Sequence, residues 1–136
     1  MAKYKSHAKQ VKRELRTREK RALTAAGVIV NKHVILNIDR LGIVDSGRLK
    51  GSYGFKVDMK KLRVINGTNV DYAPHQEYGT GKFAEGGTGR SGRWSYQRAD
   101  GKWVTTEGTR ARPHLRIAYL YNMKEIQERM QMEMAR

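Results

Sequence analysis

Tyr72-Ala73-Pro74-His75-Gln76-Glu77-Tyr78-Gly79-Thr80-Gly81 divides the chain into two unlike parts. Pro74 has a fixed φ and no N–H, which suits the first position of a short helical turn. Gly79 and Gly81 can take positive φ, so the turn is predicted to end there. Glu77 is the one carboxylate of the stretch, set between Tyr72 and Tyr78. From the residues alone this is a connector whose tyrosines pin it to a core.

Working upstream, Val11, Leu15, Ala22, Ala26, Val30, Val34 and Ile38 recur at helical spacing. They predict one helix from Ala8 to Leu41, stopped by Gly42. At 1.5 Å per residue it is about 50 Å long. From Lys3 to Arg21 nine residues are basic and two, Glu14 and Glu19, acidic. This half has a narrow apolar stripe and is expected to project from the core. It is either a solvated basic face or a docking or nucleic-acid arm. From Val28 onward the helix is apolar on most sides, which predicts burial. Gly27 at the join predicts a kink or a close contact. Asp45–Arg48 reads as a turn. Tyr53, Phe55 and Val57 alternate with polar residues as in a half-buried strand, Asp58–Lys61 turns the chain, and Leu62–Asn66 returns as a second strand.

Downstream, six of the fourteen residues from Gly79 to Gly92 are glycine, which predicts a mobile loop in the free chain. Arg93–Thr106 reads as a hairpin about a two-residue Asp100-Gly101 turn. That register pairs Arg98 with Trp103 and Tyr96 with Thr105. It puts Trp94, Tyr96, Arg98 and Trp103 on one face, with Arg98 over Trp103. Pro113 is expected to open a last helix running to Met134, with a stripe of Leu115, Tyr119, Met123, Ile126, Met130 and Met134 that packs on the core or, in a second reading, binds a partner. The fold class is therefore α+β, in one domain spanning 1–136: a long N-terminal helix and a C-terminal helix on a small antiparallel sheet of about four strands. Residues 1–21 form a basic helical arm and 79–92 a mobile loop.

The chain has 136 residues, 28 Lys and Arg against 13 Asp and Glu, a net charge of +15 and no cysteine. Such a charge implies an anionic partner, nucleic acid or an acidic protein surface. Without cysteine there is no disulfide framework and no thiolate metal site. The basic N-terminus has no apolar h-region, and no stretch is apolar and long enough for a membrane span, so a soluble intracellular protein is expected.

Tyr-Ala-x-x-x-Glu-Tyr-Gly-Thr-Gly, carried by Tyr72, Ala73, Glu77, Tyr78, Gly79, Thr80 and Gly81, resembles the signature of the neck or tail-completion proteins of long-tailed phages. The resemblance extends upstream to Gly47, Arg48, Leu49 and Ser52 as Gly-Arg-Leu-x-x-Ser. Downstream it extends to Arg112, Pro113, Leu115 and Ala118 as Arg-Pro-x-Leu-x-x-Ala. It implies a structural virion protein at the head–tail junction, found in host cytoplasm during assembly. It also implies a ring, expected to have six subunits, that joins head to tail and lets the genome through. The implied partners are further copies of the chain, a head-closure or connector protein, a tail-terminator or tail-tube protein, and double-stranded DNA in transit. Neither an enzyme activity, a cofactor, a metal nor a membrane is implied.

Other motifs fail on context. Gly87-Thr88-Gly89-Arg90-Ser91-Gly92 fits a dinucleotide fingerprint in letters, but such a fingerprint works only between a strand and a helix. Gly81-Lys82 resembles part of a P-loop, with Phe83 where a hydroxyl should hold magnesium. His75-Gln76-Glu77 resembles the H-x-E of zinc deaminases, which also need two cysteines. His7, His33, His75 and His114 read as structural or surface residues. Glu77 is a structural or interface carboxylate, and a hydrolytic reading would rest on it alone. Lys82, Arg90, Arg93, Trp94, Tyr96, Arg98 and Trp103 remain as candidate assembly or DNA contacts. An aromatic, basic hairpin of this kind also suits a stand-alone nucleic-acid-binding module without sequence preference, the rival function.

Overall fold

A computed structural model describes residues 6–43 and 46–136. Helix α1 spans Ala8–Leu41, within the bounds that its periodicity predicts. Gly42 ends it in the left-handed region at φ 61°. The Gly42 and Ile43 N–H groups donate back to the Asp39 and Ile38 carbonyls, the two bonds of a Schellman cap. Ile43 and Ile38 are both buried, so the cap is also an apolar contact. Ala22, Ala26, Val30, Val34 and Ile38 form the buried stripe. Val28 and Leu36 are more than half exposed, so the second half of α1 is buried on one face and not on most sides. Small domains lack the elements needed to surround a helix.

After α1 come α2 (Ser46–Ser52), a hairpin of β1 (Gly54–Asp58) and β2 (Arg63–Gly67), and α3 (Ala73–Tyr78). The turn expected at Asp45–Arg48 starts outside the described residues, and Ser46–Arg48 are helical instead. β1 pairs antiparallel with β2, Gly54 opposite Gly67 and Asp58 opposite Arg63. Asp58 Oδ1 accepts from the Lys60 and Lys61 N–H groups at 3.0 and 3.2 Å, which fixes the turn between them. This hairpin lies on the middle of α1. A Cβ on Gly27 would fall 2.5 Å from the Phe55 ring, and the Gly27 carbonyl accepts from Asn66 Nδ2 at 2.9 Å. Gly27 therefore serves a close contact.

The second strand pair, β3 (Trp94–Gln97) and β4 (Trp103–Thr106), does not join the first. The expected single four-stranded sheet is two separate ribbons. The β3–β4 register is also one residue off the expected one: Tyr96 faces Val104 and Gln97 faces Trp103. The turn has three residues, not two. Arg98 N–H donates to the Lys102 carbonyl, Gly101 N–H to the Arg98 carbonyl, and Gly101 sits at φ 84°. A one-residue slip moves side chains to the other face. Trp103 thus stands opposite Gln97, away from the face of Trp94 and Tyr96, and the expected Arg98–Trp103 pair is replaced by Arg90 over Trp94, 5.2 Å from the ring centroid.

The C-terminal helix is broken in two, α4 (Leu115–Leu120) and α5 (Met123–Ala135). Asn122 takes a non-helical φ of −120°, and its side-chain amide donates to the Ala118 carbonyl at 2.9 Å. Pro113 precedes α4 by two residues and does not open it. Ile126 is buried in the core, Leu115 and Met130 pack against it, and Tyr119 is half exposed. An apolar groove of about 290 Å³ is lined by Val30 of α1, Val64 of β2, Leu115 of α4, and Ile126 and Met130 of α5. No helix among the described residues is long and apolar enough to cross a membrane.

Candidate functional site

The three sequence blocks meet in space. Leu49 of α2, Ala73 of α3 and Ala118 of α4 are buried in one core cluster, with Tyr72 and Leu115 packed against it. The Arg48 guanidinium lies over the Tyr72 ring at 5.6 Å. Ser52 Oγ donates to the Leu49 carbonyl at 2.7 Å, which closes α2, and it also meets the Thr68 hydroxyl. Gly47 is exposed on α2 and makes no such contact evident.

At the centre is Glu77, 6% exposed. Its Oε2 accepts from the His114 and Leu115 N–H groups at 2.9 and 3.0 Å, and its Oε1 from the Arg116 N–H at 3.0 Å. These are the free N–H groups at the start of α4, which has no side-chain cap of its own. A carboxylate from one short helix thus caps another across 37 residues of chain. Both of its oxygens are engaged, and this geometry suits a structural carboxylate far better than a general acid.

His114 is fully buried beside it, the structural one of its two sequence readings. Its Nδ1 lies 3.0 Å from the Arg112 carbonyl and 3.3 Å from Glu77 Oε2, and its Nε2 lies 2.6 Å from the Tyr53 hydroxyl. A carbonyl only accepts, so Nδ1 carries the proton and, in the neutral ring, Nε2 accepts from Tyr53. The Asn37 side-chain amide donates to the His114 carbonyl at 3.1 Å and ties the group to α1.

Burial, and secondarily the Glu77 charge, push the Tyr53 hydroxyl well above the usual phenol range. A folded-state value above the unfolded one means that the stability is fully present below about pH 10 and is lost as pH rises from there. We expect unfolding free energy to fall above that pH by up to about 1.4 kcal/mol per unit on account of this group. Tyr53→Phe should remove that part of the alkaline slope. At neutral pH it should cost about 1–2 kcal/mol, because His114 loses its donor. Urea unfolding of both proteins at stepped pH measures this, and equal alkaline slopes would contradict it.

Beyond α3 the chain leaves on an excursion whose two ends are clipped together. Thr80 N–H donates to the Thr109 carbonyl at 2.8 Å, Thr109 N–H returns to Thr80 Oγ1 at 2.8 Å, and Lys82 N–H donates to the Glu107 carbonyl at 3.1 Å. Nearer the core, Arg112 N–H donates to the Gln76 carbonyl at 2.6 Å. Glycines permit this approach. Gly79 and Gly81 have φ of 79° and 61°, and a Cβ on Gly81 would overlap the Glu107 carbonyl. Gly81→Ala should therefore open the clip and lower stability by about 3 kcal/mol, from the positive φ and the backbone overlap together. Hydrogen exchange should show the Thr80 and Lys82 amides losing protection, whereas unchanged protection would mean that the clip tolerates a side chain.

Ion pairs hold the outer side of the clip. Lys82 and Arg93 both reach Glu107, and Arg116 pairs with Glu85 while covering the Tyr78 ring at 5.3 Å. The cations lower the Glu107 and Glu85 carboxyls below their usual range, chiefly through these hydrogen bonds. Past the clip, β3–β4 is exposed on both faces: Tyr96 is 46% and Trp103 70% exposed.

His75 is exposed on α3 while Glu77 points inward, so the H-x-E pair does not converge. Among the described residues no three His, Asp or Glu side chains are grouped to hold a metal ion. Gly87–Gly92 lies between a 3-10 turn and β3, with no helix behind it. No family model, curated protein or solved structure matches the chain.

Proposed function

We propose that the protein is a structural component of a phage head–tail junction, acting by assembly into a ring through which the genome passes. The observation that carries this reading is the convergence of the three resemblance blocks, scattered over residues 47–118, on one packed unit around Glu77. The unit holds a rigid base, and from it the clipped excursion presents the loop 79–92 and the β3–β4 hairpin to neighbours. Contacts of this kind between copies are heterologous and close a ring when the rotation permits. Head-closure or connector and tail-terminator or tail-tube proteins would lie on either side, with double-stranded DNA inside.

A stand-alone nucleic-acid module is favoured less. It rests on charge, the basic N-terminal arm and the aromatic hairpin; of that hairpin's rings Tyr96 and Trp103 are exposed, while Arg90 covers Trp94. A base stacking on Trp94 would first have to displace that cation.

The test is complementation in vitro. Heads and tails prepared without this protein should join when it is added, and mass photometry should find rings of about six copies at the junction, the closed-symmetry state. Heads and tails that stay apart at every concentration, with a chain that binds duplex DNA tightly as a monomer, would favour the rival.

A further inference from the structure

Helix α1 runs on past the end of α5. Arg18 Nη1 donates to the Met134 carbonyl at 3.3 Å, and Arg21 Nε lies 3.8 Å from Glu133 Oε2, so α5 ends beside residues 18–21. Residues 8–17 continue as helix beyond that level. One turn apart on this extension, Val11 is 59% and Leu15 46% exposed. Their spacing continues the face of Ala22 and Ala26, each 2% exposed. The core stripe of α1 therefore extends past its cover. Around it, residues 8–21 carry seven Lys and Arg against Glu14 and Glu19. A concave patch of about 520 Å³ beside it is lined by Arg13, Arg18, Arg21 and Arg136, with Glu14 as its one carboxylate.

We infer that residues 9–20 form a docking surface for an acidic, amphipathic helical segment of a different protein. Such a segment would lie along the arm with its apolar side on Val11 and Leu15 and its carboxylates over the arginine-lined patch. Charge disfavours a second copy: its own arm is equally cationic, and six of its carboxylates, Asp39, Asp58, Glu85, Glu107, Glu125 and Glu133, already pair with cations of their own chain. Nucleic acid would neutralise the cations but cover neither Val11 nor Leu15. An acidic helix does both, in the helix-on-helix mode read as i, i+4 anchors. The inference does not depend on the neck reading, because it concerns one surface of the single chain.

The probe is a synthetic helix of about 20 residues with a leucine stripe and glutamates elsewhere, long enough to cover three turns. A peptide of equal charge with serine for leucine and a DNA duplex of about 20 base pairs, long enough for several phosphate contacts, serve as controls. Fluorescence anisotropy should show the leucine peptide binding the intact chain at least about tenfold more tightly than the serine peptide, the effect of one or two buried aliphatic anchors. Val11→Ser with Leu15→Ser should erase that difference and leave DNA binding unchanged. Equal affinity for the two peptides, or no binding below about 100 μM, overturns the inference. So does a self-association seen by sedimentation that the double substitution abolishes, since a second copy would then cover the face. The peptide comparison is made on the intact chain, so it stands whatever the substitutions do to folding.

Discussion

Glu77→Ala is expected to lower the melting temperature by about 10–20 °C, the largest effect of any single change in the core. The carboxylate accepts three backbone N–H groups from the start of α4 and is 6% exposed. Alanine leaves those donors without their acceptor. A lost charged hydrogen bond costs about 1.5–3 kcal/mol, and partial access of water to three donors limits the sum to about 3–5 kcal/mol. For a domain of this size each kcal/mol moves the midpoint by about 3–5 °C. Glu77→Gln keeps one carbonyl oxygen and should fall roughly halfway, because its amide group turns a donor toward other donors. Thermal melting by circular dichroism decides this. A Glu77→Ala protein that melts within about 2 °C of the parent would mean that α4 is held by apolar packing alone.

The same carboxylate shows how far the sequence could be read. Its structural role was legible because no second catalytic group stands near it in the chain. Its partners were not, because they lie on α4 and only folding brings them within reach. His114 stayed open between its structural and surface readings for the same reason: a lone histidine before a leucine looks the same whether it is buried against Tyr53 or solvated. The bounds of α1 were legible because periodicity and a capping glycine are both local. Burial around its second half was not, since Val28 and Leu36 are apolar yet face solvent.

The errors in the β regions have one physical source. Asp100-Gly101 is compatible with a two-residue turn and also with the last two positions of a three-residue turn. A difference of one residue reverses the face of Trp103. Pairing between ribbons is a long-range choice that alternation within a strand does not encode. Here the clip at 80–82 and 107–109 carries β3–β4 away from β1–β2 and leaves two sheets where one was expected. The clip itself is written in glycines, but their composition reads first as looseness. Gly81 and Gly79 take positive φ at buried sites where a side chain would strike backbone, so part of a glycine-rich stretch is closely fitted.

Trp103→Ser is expected to leave the melting temperature within about 1–2 °C of the parent, as for surface substitutions generally, and to reduce head–tail joining to near background. The ring is 70% exposed, and it faces away from Trp94 and Tyr96, so folding of the single chain gains little from it. A two-stranded ribbon is marginal alone, and in β3–β4 Tyr96 on one face and Trp103 on the other are both exposed. An exposed tryptophan on such a ribbon is the kind of anchor that dominates an interface, worth about 2–4 kcal/mol when covered. At 2 kcal/mol each contact weakens about thirtyfold, and a closed ring multiplies the loss over every interface. Tyr96→Ser, on the opposite face and less exposed, should do less. Mass photometry of the assembled junction and the in-vitro joining assay read the two substitutions side by side with thermal melting. Should Trp103→Ser join heads to tails as well as the parent does, the hairpin makes no assembly contact. Should it instead drop the melting temperature by more than about 5 °C, the tryptophan belongs to the fold of the monomer and the anchor reading fails.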